Sequence, residues 1–246
     1  MSTTLIVPGL KSSGPAHWQT WFEQHIPGSV RVIQREWNDP PPPAWASRVR
    51  RDISRTAGQI FIVAHSFGVL AAVQAANDYA TRISGALLVA PADPDKFGVA
   101  EYVPNTRLPF PSVLVASTTD HWMTLERAAH FAGLWGSDLV NLGAAGHINA
   151  ESGFGPWPEG LALQERLRRG AEFRAANEVR AQPRHTSPWR SRSALAGRRA
   201  PARRKYSDDR GALRSAAALL EDAGWQLTPP PARVGYVAAA PRQQSR

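Results

Sequence analysis

No cysteine occurs in the chain, which excludes disulfides, thiol nucleophiles and Cys-based zinc sites and leaves the redox compartment unreadable from cysteine usage. Metal-ligand spacings such as His-Glu-x-x-His are missing too, as are the glycine patterns of dinucleotide folds and P-loops. Neither a metal nor a cofactor is therefore expected. No apolar run approaches the roughly 18 residues of a membrane span. The opening Met-Ser-Thr-Thr-Leu-Ile-Val-Pro-Gly has no basic segment and no apolar stretch of signal-peptide length. The expectation is a soluble cytoplasmic protein without membrane contact.

What the chain has in excess is positive charge, unevenly placed. Residues 1–169 carry 14 Lys+Arg against 14 Asp+Glu, whereas residues 170–246 carry 15 against 6, so the formal excess of +9 belongs to the last third. Seven of the nine Trp lie in the neutral part, which is long enough to bury a complete core. The chain reads as a domain over 1–170 followed by a basic, low-complexity, largely disordered extension over 171–246. Within the extension, 209–224 has the pattern of a short helix. Its charge would attract nucleic acid by counterion release, but such runs are more often solvated segments, and contact with nucleic acid is the lesser reading.

In the neutral part, short runs rich in Val, Ile and Leu recur at Leu5–Val7, Val30–Ile33, Ile60–Val63, Ala86–Val89, Val113–Val115 and Leu139–Leu142. Continuous apolar runs suit strands covered on both faces. Helices are expected between and after them at His17–His25, Ala44–Ala57, Gly68–Tyr79, Thr124–Trp135 and Glu159–Arg169, with a stiff turn at Pro40–Pro43. In the second helix Trp45, Val49 and Ile53 fall on one face. Alternating strands and helices imply a mostly parallel sheet with helices on both faces, whose ligands bind at the carboxyl ends of the strands.

The loops at those ends carry the chemistry. The third strand runs through Ala64-His65-Ser66-Phe67-Gly68 directly into a helix, the setting of a nucleophile elbow. Small residues are needed two positions either side of the serine, because the flanking backbone comes close there. Gly68 meets this fully, and Ala64 adds one methyl. The pattern alone arises often by chance, so the later strand ends must supply its partners. Asp120 comes after the fifth strand and His147 after the sixth, and the order Ser, Asp, His is that of α/β-hydrolases. A serine hydroxyl is a weak nucleophile at neutral pH; His147 would take its proton, and Asp120 would hold the imidazole tautomer. The turn Pro8-Gly9-Leu10 after the first strand offers the Leu10 backbone N–H, which with that of Phe67 would form an oxyanion hole. Among the other histidines, His121 is too close to Asp120 in sequence for the triad bond and reads as a rim or surface group, and His65 as packing against the sheet.

Five stretches together carry a family resemblance: Val7-Pro8-Gly9-Leu10, Gly14-Pro15-Ala16-His17-Trp18-Gln19-Thr20-Trp21, Val63 to Gly68, Val89-Ala90-Pro91-Ala92 and Gly146-His147-Ile148-Asn149. Over residues 3–169 the chain resembles the retinoblastoma-binding protein 9 / YdeN family of small serine hydrolases. The resemblance implies a compact α/β-hydrolase with little or no cap domain, Ser66, Asp120 and His147 in the triad positions, and hydrolysis of a small carboxylic ester or amide through an acyl-enzyme. It also sets His17 and Trp18 near the mouth of the site as candidates to line a substrate pocket, against the alternative that Trp18 and Trp21 are helix-face core. Two further readings keep the fold: a protein-interaction module with an idle site, and an acyltransferase using the same triad.

Overall fold

The computed structural model describes residues 2–38, 42–181, 226–228 and 237–239. Six strands form a parallel sheet in the order β2-β1-β3-β4-β5-β6: Ser2–Val7 (β1), Val30–Arg31 (β2), Gln59–His65 (β3), Ile83–Val89 (β4), Ser112–Ala116 (β5) and Asp138–Asn141 (β6). The helices are Trp18–His25 (α1), Pro42–Arg55 (α2), Phe67–Ala76 (α3), Leu125–Trp135 (α4) and Pro158–Ala181 (α5).

The continuous apolar runs divide by strand parity, as a pleated strand buried on both faces requires. Leu5, Val7, Ile60, Ile62, Ala64, Leu88 and Leu114 face one core with Trp45, Val49 and Ile53 of α2, Leu70 of α3 and Phe131 and Trp135 of α4. Ile6, Val63, Leu87, Val89, Val113 and Val115 face the other core with Trp18 and Phe22 of α1 and Leu163 of α5. From β1 the sheet grows one way to β2 and the other way to β3. Right-handed crossovers then demand helices on opposite faces, which is how α1 and α2 lie. The sheet direction reverses at β1, so the carboxyl ends of β1 and β3 form the switch point where an α/β sheet binds ligands. The longest excursion at that edge, residues 90–111 between β4 and β5, holds only a single 3-10 turn, Ala100–Tyr102.

Three expectations differ. The second strand is only two residues long, though the Val32 N–H still donates to the Ile6 carbonyl. The last helix continues past Arg169 to Ala181. Gly170 costs a helix only about 1 kcal/mol, and Ala171-Glu172-Phe173-Arg174 after it are compatible with helix. The extension also adds two three-residue strands, Gln226–Thr228 (β7) and Val237–Ala239 (β8). β8 pairs parallel with β6 through Asn141 and Val237, and β7 pairs antiparallel with β8; an open sheet edge is a ready template for such pairing. The helix expected at 209–224 lies outside the described residues, as does the Pro40–Pro43 turn up to the start of α2. Among the described residues no helix is long and apolar enough to cross a membrane.

Candidate active site

The elbow is built as its sequence requires. Ser66 sits between β3 and α3 with φ 56° and ψ −128°, a conformation that costs a non-glycine residue on the order of 1–3 kcal/mol and persists only where the surroundings enforce it. The enforcement comes from both sides. The Ser66 N–H donates to the Val89 carbonyl at 3.0 Å, and the first loop presses on the turn from above. A Cβ on Gly68 would stand 2.3 Å from the Pro8 carbonyl oxygen, and one on Gly9 would stand 2.8 Å from the Ser66 Cβ. Only glycine permits this approach. The Leu10 loop is thus held close against the elbow. Phe67, the first residue of α3, and Leu10 donate their N–H groups to no acceptor among the described residues; for Phe67 this is the normal state of a helix N-terminus.

Ser66, His147 and Asp120 come together from three different strand ends. The Ser66 Oγ lies 2.8 Å from the His147 Nε2, and the His147 Nδ1 lies 2.9 Å from the Asp120 Oδ2 and 3.0 Å from its Oδ1. The Asp120 Oδ1 also accepts the Trp122 N–H at 2.9 Å. All three side chains are almost fully buried, so their mutual hydrogen bonds face little competition from water. A histidine that donates from Nδ1 to a carboxylate carries its free lone pair on Nε2, toward the serine hydroxyl.

Side chains hold the His147 loop in place. The Ala145 N–H donates to the Ser117 Oγ at 3.0 Å, the Gly146 N–H to the Thr119 Oγ1 at 2.9 Å and the His147 N–H to the Ser152 Oγ at 3.1 Å. Ser117 and Thr119 stand just beyond β5, in the loop that also carries Asp120, so Asp120 and His147 are fixed by one network. That loop and the helix after it are tied in turn to the loop after β4: Lys96 Nζ donates to the His121 carbonyl at 2.6 Å, and Arg127 of α4 pairs with Asp93 at 3.4 Å and with Asp95.

The two candidate pocket residues, Trp18 and His17, are both buried. Trp18 has no exposed surface; its indole packs edge-on against Phe22 and Trp157, and its Nε1–H donates to the Ile148 carbonyl at 2.8 Å. It is core and not pocket wall, because the face of α1 that carries it turns onto the sheet. His17 is also buried, capping α1 by accepting the Gln19 N–H on its Nδ1 and packing against His65. Burial, with Arg31 and His147 nearby, lowers its pKa to about 4, so it is neutral at ordinary pH. His121 is exposed on the rim, 6.0 Å ring to ring from His147. Beside it are Trp122, 39% exposed, and Phe97, 5.5 Å from Trp122; sequence reasoning had not singled out either.

Gln19 was also missed. It is fully buried and its Nε2 reaches the carbonyls of Val7 and Val63, both at 3.2 Å, bridging β1 and β3 at the switch point. A glutamine on the buried face of an expected amphipathic helix was the available signal, since buried polar groups need partners. Among the described residues no cluster of three or more His, Cys, Asp or Glu could hold a metal ion.

A model of the serine hydrolase family matches residues 4–166. Among solved structures, one named as a YdeN-like hydrolase from Pectobacterium atrosepticum is 38% identical over 72% of this chain and 92% of its own, with a TM-score of 0.63. The ydeN gene product of B. subtilis is 16% identical over 68% of this chain and 98% of its own, with a TM-score of 0.59. Est1E from Butyrivibrio proteoclasticus is 13% identical over 73% and 90%, with a TM-score of 0.52. The last two are alike in fold. No curated protein sequence matches the chain.

Proposed function

Because the chain belongs to the serine hydrolase family of the α/β-hydrolase superfamily, we propose that it cleaves a small carboxylic ester or amide through an acyl-enzyme on Ser66. The observation that carries this reading is the unbroken hydrogen-bonded run from Ser66 through His147 to Asp120, at 2.8 and 2.9 Å. The Ser66 Oγ attacks the carbonyl carbon while the His147 Nε2 takes the hydroxyl proton, and Asp120 stabilises the imidazolium that forms. The carbonyl oxygen becomes an oxyanion and accepts the N–H groups of Leu10 and Phe67, each such donor contributing roughly 3–4 kcal/mol to the transition state. Collapse breaks the bond to the leaving alcohol or amine, which takes the proton from His147. Water then attacks the acyl carbon, gives its proton to His147 and releases the acid, and Ser66 recovers its hydrogen. An alcohol in place of water would make the same sequence a transfer, and product analysis with added alcohols separates the two.

The rim supports a small substrate with an apolar part. Trp122 and Phe97 offer aromatic surface beside His147, and the loops at this edge contain only short 3-10 turns among the described residues. The test is hydrolysis of p-nitrophenyl acetate and butyrate together with labelling by a fluorophosphonate probe. The wild type is expected to turn over the esters and take up the probe, and Ser66→Ala to lose labelling and about 10⁵–10⁶ in kcat. Intact protein that does neither sinks the reading and leaves an interaction module on a hydrolase fold.

A further inference from the structure

The mechanism leaves unused a cluster of buried rings behind His147. His65 is the last residue of β3, adjacent to Ser66, and is buried. Its Nε2 lies 3.0 Å from the backbone carbonyl of His147, an acceptor only, so this nitrogen carries the hydrogen and donates. Its ring packs 4.9 Å from the His147 ring and edge-on to His17 and Trp18. One residue further along the His147 loop, the Ile148 carbonyl takes the Trp18 Nε1–H. Ile148 itself holds φ 49°, a left-handed backbone that is a genuine outlier for a β-branched side chain. Such a conformation relaxes unless contacts over-determine it.

Two consecutive carbonyls, those of His147 and Ile148, are thus held by ring N–H donors on rigid elements, while hydroxyls hold the N–H groups of the same loop. We propose that His65 is a positioning residue: it ties the backbone of His147 to the end of the nucleophile strand, so that Ser66 and the base are held in register by adjacent residues. Trp18 makes the neighbouring tie. This inference rests on the proposed roles of Ser66 and His147.

Histidine suits the task for two reasons. A planar ring fills the space between His17, Trp18 and His147 and still presents a donor at its tip. It is also uncharged: burial foremost, then the nearby His17 and His147, holds its pKa well below the ordinary range. A cation at that place would oppose the imidazolium that His147 must become.

The experiment compares His65→Phe, which keeps the ring and removes the donor, with His65→Gln, whose amide nitrogen reaches about as far as the imidazole Nε2. kcat and KM for p-nitrophenyl butyrate are read together with thermal unfolding. Loss of positioning in His65→Phe is expected to lower kcat about 10²-fold with KM within about twofold, as misplacement by about 1 Å does. His65→Gln should recover at least tenfold of that loss. Wild-type kcat in His65→Phe, or equal losses in the two variants, overturns the inference while leaving the serine mechanism standing. If His65→Phe does not fold, His65→Gln decides alone: kcat within about tenfold of wild type at unchanged KM supports the inference, and a hundredfold loss overturns it. A wild type that neither turns over ester nor takes up a fluorophosphonate removes both readings.

Discussion

The two edges of the sheet turn the chain by different means. At the amino edge, the turns leading into β2, β3 and β6 each use a glycine at positive φ: Gly28 at 71°, Gly58 at 73° and Gly136 at 69°. At the carboxyl edge, the chain also places residues with side chains in that region: Lys11 and Ser12 after β1, Ser66 after β3, Ala90 after β4 and Ile148 after β6. These five are all the non-glycine residues with positive φ among the described residues, and none lies at the amino edge. A left-handed L-residue costs roughly 1–2 kcal/mol where glycine costs nothing. The amino edge is therefore relaxed, and strain is concentrated where Ser66, Asp120 and His147 meet.

The largest expected difference between the edges comes from adding one methyl to a glycine at each. In Gly68→Ala the new carbon meets the Pro8 and Val7 carbonyl oxygens at 2.3 and 2.6 Å. Relief requires moving either α3 or the loop that carries Leu10. Overpacking of this kind costs about 3 kcal/mol or more, and displaced donors are expected to lower kcat by at least about 10². Gly28→Ala meets nothing within 4 Å, so only the left-handed backbone is penalised, by about 1–2 kcal/mol, with kcat unchanged. Urea unfolding and ester turnover measured on both variants check this. Equal effects on kcat would show that the carboxyl-edge contacts do not shape the site.

Legibility in the sequence divides along the same lines. The strands β1 and β3 to β6 could be read because a pleated strand covered on both faces leaves a continuous apolar run, and α2 because Trp45, Val49 and Ile53 repeat at helical spacing; β2, an edge strand with Val30 exposed, is only two residues of its apolar run. That Ser66, Asp120 and His147 converge could be expected because a parallel sheet sends every strand's carboxyl end to one side. What stayed hidden depends on side-chain direction. Periodicity could not say whether Trp18 turned toward substrate or toward the sheet, and it turns to the sheet with no exposed surface. The tie from His65 to the His147 carbonyl spans 82 positions, and no local pattern announces it. Nor did Gly170 end the last helix as expected, because a single glycine weighs less than the residues after it.

Acid should weaken the carboxyl edge through its buried imidazoles. The pKa of His17 is near 4 in the folded chain and about 6.5 when unfolded. Between those values the unfolded chain binds more protons, so stability rises with pH across this window. The contribution is fully present above about pH 6.5, is lost as pH falls toward 4, and amounts to about 3 kcal/mol. His65, depressed in the same direction, adds to the trend. His17→Asn keeps an acceptor suited to capping α1 but removes the titration. Urea unfolding from pH 7 to pH 4 is expected to give a shallower acid limb for His17→Asn than for the wild type. Parallel limbs would mean that this imidazole is solvated in the folded chain.

The smallest effect tests the strain itself, at Ser66. Both Ser66→Ala and Ser66→Gly remove the hydroxyl and are expected to be inactive, so activity does not separate them and stability must. In a helix interior the glycine variant is the weaker, by about 1 kcal/mol, and Ala129→Gly on α4 serves as that reference. At Ser66 the balance reverses. Alanine keeps a Cβ at φ 56° and ψ −128° with its penalty of roughly 1–3 kcal/mol, whereas glycine is free of that penalty and loses only the 0.5–1 kcal/mol or so of extra unfolded-chain entropy. Ser66→Gly should therefore be the more stable of the pair by about 0.5–2 kcal/mol, read from urea midpoints at equal slope. If Ser66→Gly is instead weaker by the amount seen for Ala129→Gly, the elbow stores no strain, and the contrast between the two edges reduces to packing against Gly9 and Gly68.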